Sequence, residues 1–193
     1  MQLEPVTLEN RWVRLEPMGE AHKAQFRATC DADPEVFEAL YPYALHGEHF
    51  EPAWTRIFGL PPTQRINFAV VVKGRCVGTT SYGRLEPQNA TLEIGGTYYH
   101  PDFRGGATNP AAKRLLLDEA FARGARRVSF RVDAINARSR AAMLKLGAVE
   151  EGILRQDVTT WTGRIRDTVM FSILASEWPA VRDRLDQRLA AFG

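Results

Sequence analysis

The chain is predicted to be an α/β protein built on a mixed sheet, and three observations carry that prediction. The first half holds short runs of strand character set off by turn residues. After His100 the periodicity switches to helix, strand, helix. The strand–helix–strand unit from Leu92 to Asp133 has the length of a parallel crossover, so at least one parallel pair sits among antiparallel hairpins.

In order, "RWVRLEP" (Arg11 to Pro17) alternates and reads as a first strand. Residues 20–59 read as helix broken by Pro34, Pro42 and Pro52. "INFAVVV" (Ile66 to Val72) is β-branched, and "KGR" turns it into "CVGTTSYGRL" (Cys76 to Leu85). "ATLEIGGTYYH" (Ala90 to His100) is a third antiparallel candidate. Asn109 to Arg123 carries Ala112, Leu115, Leu116, Ala120 and Phe121 at helical spacing. "RRVSFRVDA" (Arg126 to Ala134) is a strand with Val128, Phe130 and Val132 on one face. Asn136 to Ala148 is a helix ended by Gly147. A closing hairpin turns at Gly163, and residues 176–192 form a last amphipathic helix with Ser176 as its cap. That helix can cover its own sheet or a partner subunit, and a homodimer is one expectation. Neither repeats nor a linker divide the 193 residues, which read as a single domain over 1–193.

The hydrophobic fraction of 45% and charged fraction of 25% are those of an ordinary globular chain. A net charge of +2 gives no reason to expect nucleic acid as a partner. No apolar run approaches the roughly 20 residues of a membrane span, and the N-terminus lacks a signal-peptide pattern. Cys30 and Cys76 have no motif spacing, which suits a reducing cytoplasm.

Two stretches carry chemistry. In "HPDFRGGATNPAAK" (His100 to Lys113), Asn109 is expected to cap a helix with Pro110 at its first position. Gly105 and Gly106 let a ligand approach the backbone, and the helix start favours an anion. Arg104 adds a charged donor fork and Thr108 a hydroxyl. Neither a Gly-x-Gly-x-x-Gly nor a Gly-Lys-Ser/Thr motif is present, so this is not a dinucleotide fold loop or a P-loop. The second stretch, "VDAINARSRAAMLKLGAVEEGILR", opens a helix at Asn136 directly after a strand; Asn136 also reads as a plain helix cap.

Together with "RWVRLEP" and "LEIGGTYYHPDFRGGATNPAAKRLLLDEAF", that second stretch resembles the GNAT (Gcn5-related N-acetyltransferase) superfamily, in its ribosomal-protein N-terminal acetyltransferase branch. The likeness runs from about Arg11 to Trp178. It implies a mostly antiparallel sheet whose central parallel pair splays to bind CoA. It implies acetyl-CoA as cosubstrate, with no metal. Backbone groups of Thr97, Tyr98 and Tyr99 would pair with the pantetheine arm like an added strand. Arg104, Gly105, Gly106, Ala107, Thr108 and Asn109 would wrap the pyrophosphate, Asn136 would bond the pantetheine with Ser139 near it, and Arg140 would meet the 3′-phosphate.

Departures from the family pattern are local. Ala107 stands at a glycine position of the loop. Met143 stands where many members have a tyrosine acid, and Arg131 where some have a glutamate base. Glu93, on the strand before the loop, occupies the other location for a base and is the catalytic candidate. The implied activity is acetyl transfer to a primary amine, of a protein N-terminus or a small molecule, by direct attack. Met143 and Arg131 keep a second reading open, a protein that binds or senses acyl-CoA without catalysis. His46 and His49 read as solvated loop residues, and Tyr41, Tyr43, Trp54 and Phe58 as core or acceptor-pocket aromatics.

Overall fold

The computed structural model describes residues 1–192. Its eight strands are β1 (Leu8–Glu9), β2 (Arg14–Pro17), β3 (Arg65–Val72), β4 (Arg75–Glu86), β5 (Thr91–Tyr99), β6 (Arg127–Asp133), β7 (Val149–Thr159) and β8 (Ile165–Leu174). They form one sheet in the order β1-β2-β3-β4-β5-β6-β8-β7. Every pairing is antiparallel except β5 with β6. The α-helices are α1 (Glu20–Asp31), α2 (Pro34–Leu40), α3 (Phe50–Phe58), α4 (Thr108–Ala122), α5 (Ala137–Leu146) and α6 (Trp178–Ala190).

Each face of the sheet buries one apolar cluster. On one face Leu92, Ile94, Val128 and Phe130 pack against Ala112, Leu116 and Leu117 of α4 and Met143 and Leu146 of α5. On the other, Phe26, Phe37, Phe50 and Trp54 of α1–α3 pack on Ala69, Cys76 and Tyr98. Trp178, Val181, Leu185 and Leu189 of α6 are buried in the first cluster, so that helix covers its own chain.

Several predicted boundaries shift. The first strand is preceded by β1, because Asn10 Oδ1 accepts from the Trp12 and Val13 amides and folds the segment back on itself. Asn109 does not cap α4. Ala107 already has αR geometry, so the helix begins at Thr108 and Asn109 is its second residue. Pro110 falls third, where its missing N–H would have had no intrahelical partner. Ser176 does not cap α6, whose preceding residue is Glu177; the Glu177 Oε2 accepts from the Leu174 amide at 2.9 Å instead. Asn136 does cap α5, accepting from the Ser139 amide at 2.9 Å, and Gly147 ends it with φ +94.

The functional part of the fold is set by β5. It pairs with β6 only from Thr91 to Glu93, opposite Arg127 to Ser129. Past Glu93 the two strands separate. Against β4, Ser81 faces Gly95 while Thr79 faces Tyr98, so β5 holds one extra residue at a bulge. Gly96 takes φ +58 there, a conformation that other residues rarely adopt. The bulge resets the alternation, so that Thr97 and Tyr99 join Leu92 and Ile94 on the α4 face while Tyr98 joins Glu93 on the other.

Candidate active site

The gap between β5 and β6 opens into a cavity of about 600 Å³. Glu93, Gly95, Gly96, Thr97 and Tyr99 form one wall, and Phe130, Arg131, Val132 and Asp133 the other. Gly105, Gly106, Asn109 and Lys113 close one end, and Asn136, Ser139 and Met143 reach it from α5 and its entry. Two sequence segments far apart in the chain thus meet at one opening.

The expected residues divide into two groups. Glu93, Thr97, Tyr99, Arg104, Gly105, Gly106, Asn109, Asn136 and Ser139 line the cavity. Tyr98, Ala107, Thr108 and Arg140 do not. Tyr98 is sunk in the α1–α3 cluster, and its hydroxyl donates to the Thr29 carbonyl at 2.9 Å. Arg140 faces Glu150 at 3.5 Å. Arg138, Lys145 and Arg188 line the cavity in its place, and none of them has a carboxylate partner among the described residues. Arg138 belongs to the arginine-rich stretch that the sequence offers beside Arg140, whereas Lys145 and Arg188 were missed, the latter because it lies on a helix distant in sequence.

The backbone of β5 is partly spent. The Thr97 carbonyl accepts from the Tyr41 hydroxyl at 2.6 Å, and the Tyr99 carbonyl from Arg104 Nε at 2.8 Å. The His100 amide donates to Val77 of β4, so alternation turns the Thr97 and Tyr99 amides the other way, toward the opening. Arg104 is also paired with Asp33 and lies over the Tyr98 ring. Its charge is thus compensated, contrary to the expectation of a free cation at the loop. The loop's anion-binding capacity rests on amides and the α4 terminus. A Cβ at Gly105 or Gly106 would meet nothing within 4 Å, so both face open space.

Glu93 has a side chain 17% exposed. Burial raises its pKa above the usual carboxylate value, opposed by Arg84, Arg131, Arg65 and Arg166. Arg84 Nε lies 3.1 Å from Oε2 but off line for a hydrogen bond, and that oxygen has no donor. A Cβ at Gly95 would sit 2.7 Å from Oε1, so only glycine lets the carboxylate lie over this position. Neither carboxylate oxygen accepts a hydrogen bond among the described residues; Oε2 is buried and Oε1 is the more accessible.

Lys113, which the sequence reading passed over as a helix residue, is 3% exposed. Its Nζ donates to Thr97 Oγ1 at 2.9 Å and has no carboxylate partner among the described residues. Burial lowers its pKa to about 7. His46 and His49 are half-buried rather than solvated: their rings pack edge-on or tilted against each other and against Trp161, and neither lines the cavity.

A mixed sheet that splays at its one parallel pair, with a glycine loop and a buried carboxylate at the opening, is the arrangement that the resemblance to the GNAT superfamily implies. The family model described as acetyltransferase (GNAT) domain matches residues 13–149, and the chain belongs to the GNAT acetyltransferase family. A GCN5-related N-acetyltransferase from Brucella melitensis is 30% identical, with a TM-score of 0.90 over 97% of this chain and 86% of that one. An acetyltransferase from T. thermophilus is 38% identical, with a TM-score of 0.89 over 98% and 100%. Mycobacterium smegmatis RimJ, solved in complex with CoA-disulfide, is 25% identical, with a TM-score of 0.82 over 95% of each. No curated protein matches the sequence. No helix among the described residues is long and apolar enough to cross a membrane.

Proposed function

We propose that this protein moves an acetyl group from acetyl-CoA to a primary amine by direct attack, in the cytoplasm and without a metal. The observation that carries the reading is the cavity between β5 and β6, with Glu93 at one wall and the open Gly105–Gly106 loop at the end of α4. The residues suit a CoA molecule. The Thr97 and Tyr99 amides face the opening, the α4 terminus offers a field for a pyrophosphate, and Arg138, Lys145 and Arg188 offer cations for a third phosphate. The thioester supplies an activated acyl carbon and a thiolate that leaves with little help.

The protein's part is proton management and alignment. The Glu93 carboxylate accepts a proton from the acceptor ammonium through Oε1, since Oε2 is buried, and burial raises its pKa above the usual carboxylate value, as suits a base. Loss of that proton exposes the nitrogen lone pair. Met143 is apolar and supplies no proton, so the acid side of the reaction does not come from its place on α5. The backbone amides past the Gly96 bulge are the donors available to a developing oxyanion.

The test is release of free thiol from acetyl-CoA with peptides, amino acids and amines in turn, alongside calorimetric titration with CoA. Acceptor-dependent release with tight CoA binding is expected. CoA binding with no release for any acceptor would assign the protein to acyl-CoA sensing instead.

A further inference from the structure

The acceptor side of the cavity holds two donors that neither the fold nor the proton transfer uses. Arg65 opens β3, and its Nε donates to Asn67 Oδ1 at 2.8 Å. Asn67 is buried and is itself fixed, its Nδ2 donating to the Ile57 carbonyl at 3.0 Å. The guanidinium is therefore aimed from behind. Its two terminal nitrogens lie over glycines: a Cβ at Gly83 would be 3.5 Å from Nη1, and one at Gly96 only 2.2 Å from Nη2. A side chain at Gly96 would displace the guanidinium, and the positive φ there already excludes most residues.

Arg65 has no carboxylate partner among the described residues, whereas its neighbours do. Arg84 faces Glu93, Arg131 is paired with Asp157, and Arg164 with Asp133. The Tyr43 hydroxyl comes to the same place, 3.4 Å from the Gly96 Cβ position, and has no hydrogen-bond partner among the described residues. Both groups line the cavity. A positioned guanidinium with no carboxylate in ion-pair contact, its charge felt by Glu93 only across the row, beside an unspent phenol is a seat for an anionic oxygen.

Arg65, Gly83 and Glu93 face one another across three strands, in a single row on one face of the sheet. Gly83 leaves the middle of the row empty. Two strand spacings of about 4.8 Å separate the outer backbones, and both long side chains lean over the gap. An amine at Glu93 and an anion at Arg65 therefore belong within one small molecule.

We infer that Arg65 and Tyr43 bind an anionic oxygen group of the acceptor, so that the substrate class is a small primary amine bearing a carboxylate or a phosphate close to the nitrogen. The inference rests on the acetyl-transfer reading and narrows it.

The experiment compares matched trios: amino acids of increasing chain length, their carboxamides and their aminophosphonate counterparts. Each is assayed for kcat/KM with acetyl-CoA in wild type, Arg65→Gln and Tyr43→Phe, with thermal melts to confirm folding and calorimetry to confirm CoA binding. The anionic members should exceed the carboxamides by about tenfold or more, the worth of a charge-assisted hydrogen bond. Arg65→Gln should abolish that preference by raising the acceptor KM while leaving the acetyl-CoA KM in place. Tyr43→Phe should lower it less. A carboxylate above its phosphonate counterpart assigns the anion to carboxylate, and the reverse order to phosphate. Carboxamides that match the acids, a preference that survives Arg65→Gln, an Arg65→Gln loss confined to kcat with every acceptor, or turnover of no anionic amine would each overturn the inference. Failure to bind CoA is a separate result, and it removes the acetyl-transfer reading itself.

Discussion

On the α4 face of β5 the cavity wall includes Ile94, Tyr99 and Phe130, and a buried cation, Lys113, reaches it without an anion. On the other face Arg84, Arg131 and Arg164 meet Glu93, Asp157 and Asp133 within a few ångströms. Burial penalises the charged form on both faces. Nothing opposes it on the first, and Lys113 falls from 10.5 to about 7. Arginines oppose it on the second, and the Glu93 carboxyl rises against their pull. The lesson is that the two faces of one strand adjoin two titratable groups, Lys113 of α4 and Glu93 of β5 itself, moved toward neutrality by the same cause, one in apolar surroundings and one inside an ion-pair network.

The largest effect tests the network face. Glu93→Gln should lower kcat by about two to four orders of magnitude, the usual worth of a positioned base, with CoA affinity unchanged by calorimetry. The folded-state pKa of Glu93 lies above its ordinary 4.5, so its contribution to stability is present at low pH and lost as pH rises through the folded value. The inactive Glu93→Gln protein should therefore melt at or above the wild-type temperature at pH 7. Wild-type turnover in this variant would remove Glu93 from the reaction.

The apolar face should show itself in stability. Lys113 holds fewer protons folded than unfolded between about pH 7 and 10.5. Stability must then rise with pH across that window, by at most about 1.4 kcal/mol per unit from this group. Lys113→Met keeps an unbranched apolar stem and should lose that slope, being more stable than wild type at pH 6 and closer to it at pH 10. Denaturant midpoints at pH 6, 8 and 10 measure this. Parallel slopes for the two proteins would show that Lys113 stays protonated in the fold.

The two faces also differ in how much the sequence revealed. Asn136 was legible as a helix entry after a strand, and Glu93 was picked out only by its place in the family pattern; the structure brings both to the cavity. The parallel crossover was legible from its length. Lys113 was hidden because helical spacing says which residues share a face but not that a lysine will turn inward to a threonine on another strand. Arg65 was hidden because its exposure to the cavity depends on two glycines, Gly83 and Gly96, that lie 18 and 31 residues away in the chain. Arg104 was misjudged because Asp33, its partner, lies far upstream, between α1 and α2. Long-range partners decide charge, and periodicity does not report them.

The smallest effect separates two duties of Asn136, at the end of β6 where the faces meet. Its Oδ1 caps α5 through the Ser139 amide, and the residue also lines the cavity, where the family resemblance implies a bond from it to pantetheine. Asn136→Ala removes both and should cost about 1 kcal/mol of stability along with CoA affinity. Asn136→Asp retains a capping oxygen, and its negative charge is welcome at a helix N-terminus, but it has no N–H to donate. It should melt near wild type while binding CoA more weakly, by about three- to tenfold for one lost hydrogen bond. Equal CoA affinity in Asn136→Asp and wild type would reduce Asn136 to a helix cap. The cavity would then hold its ligand through the Thr97 and Tyr99 amides and the α4 terminus alone.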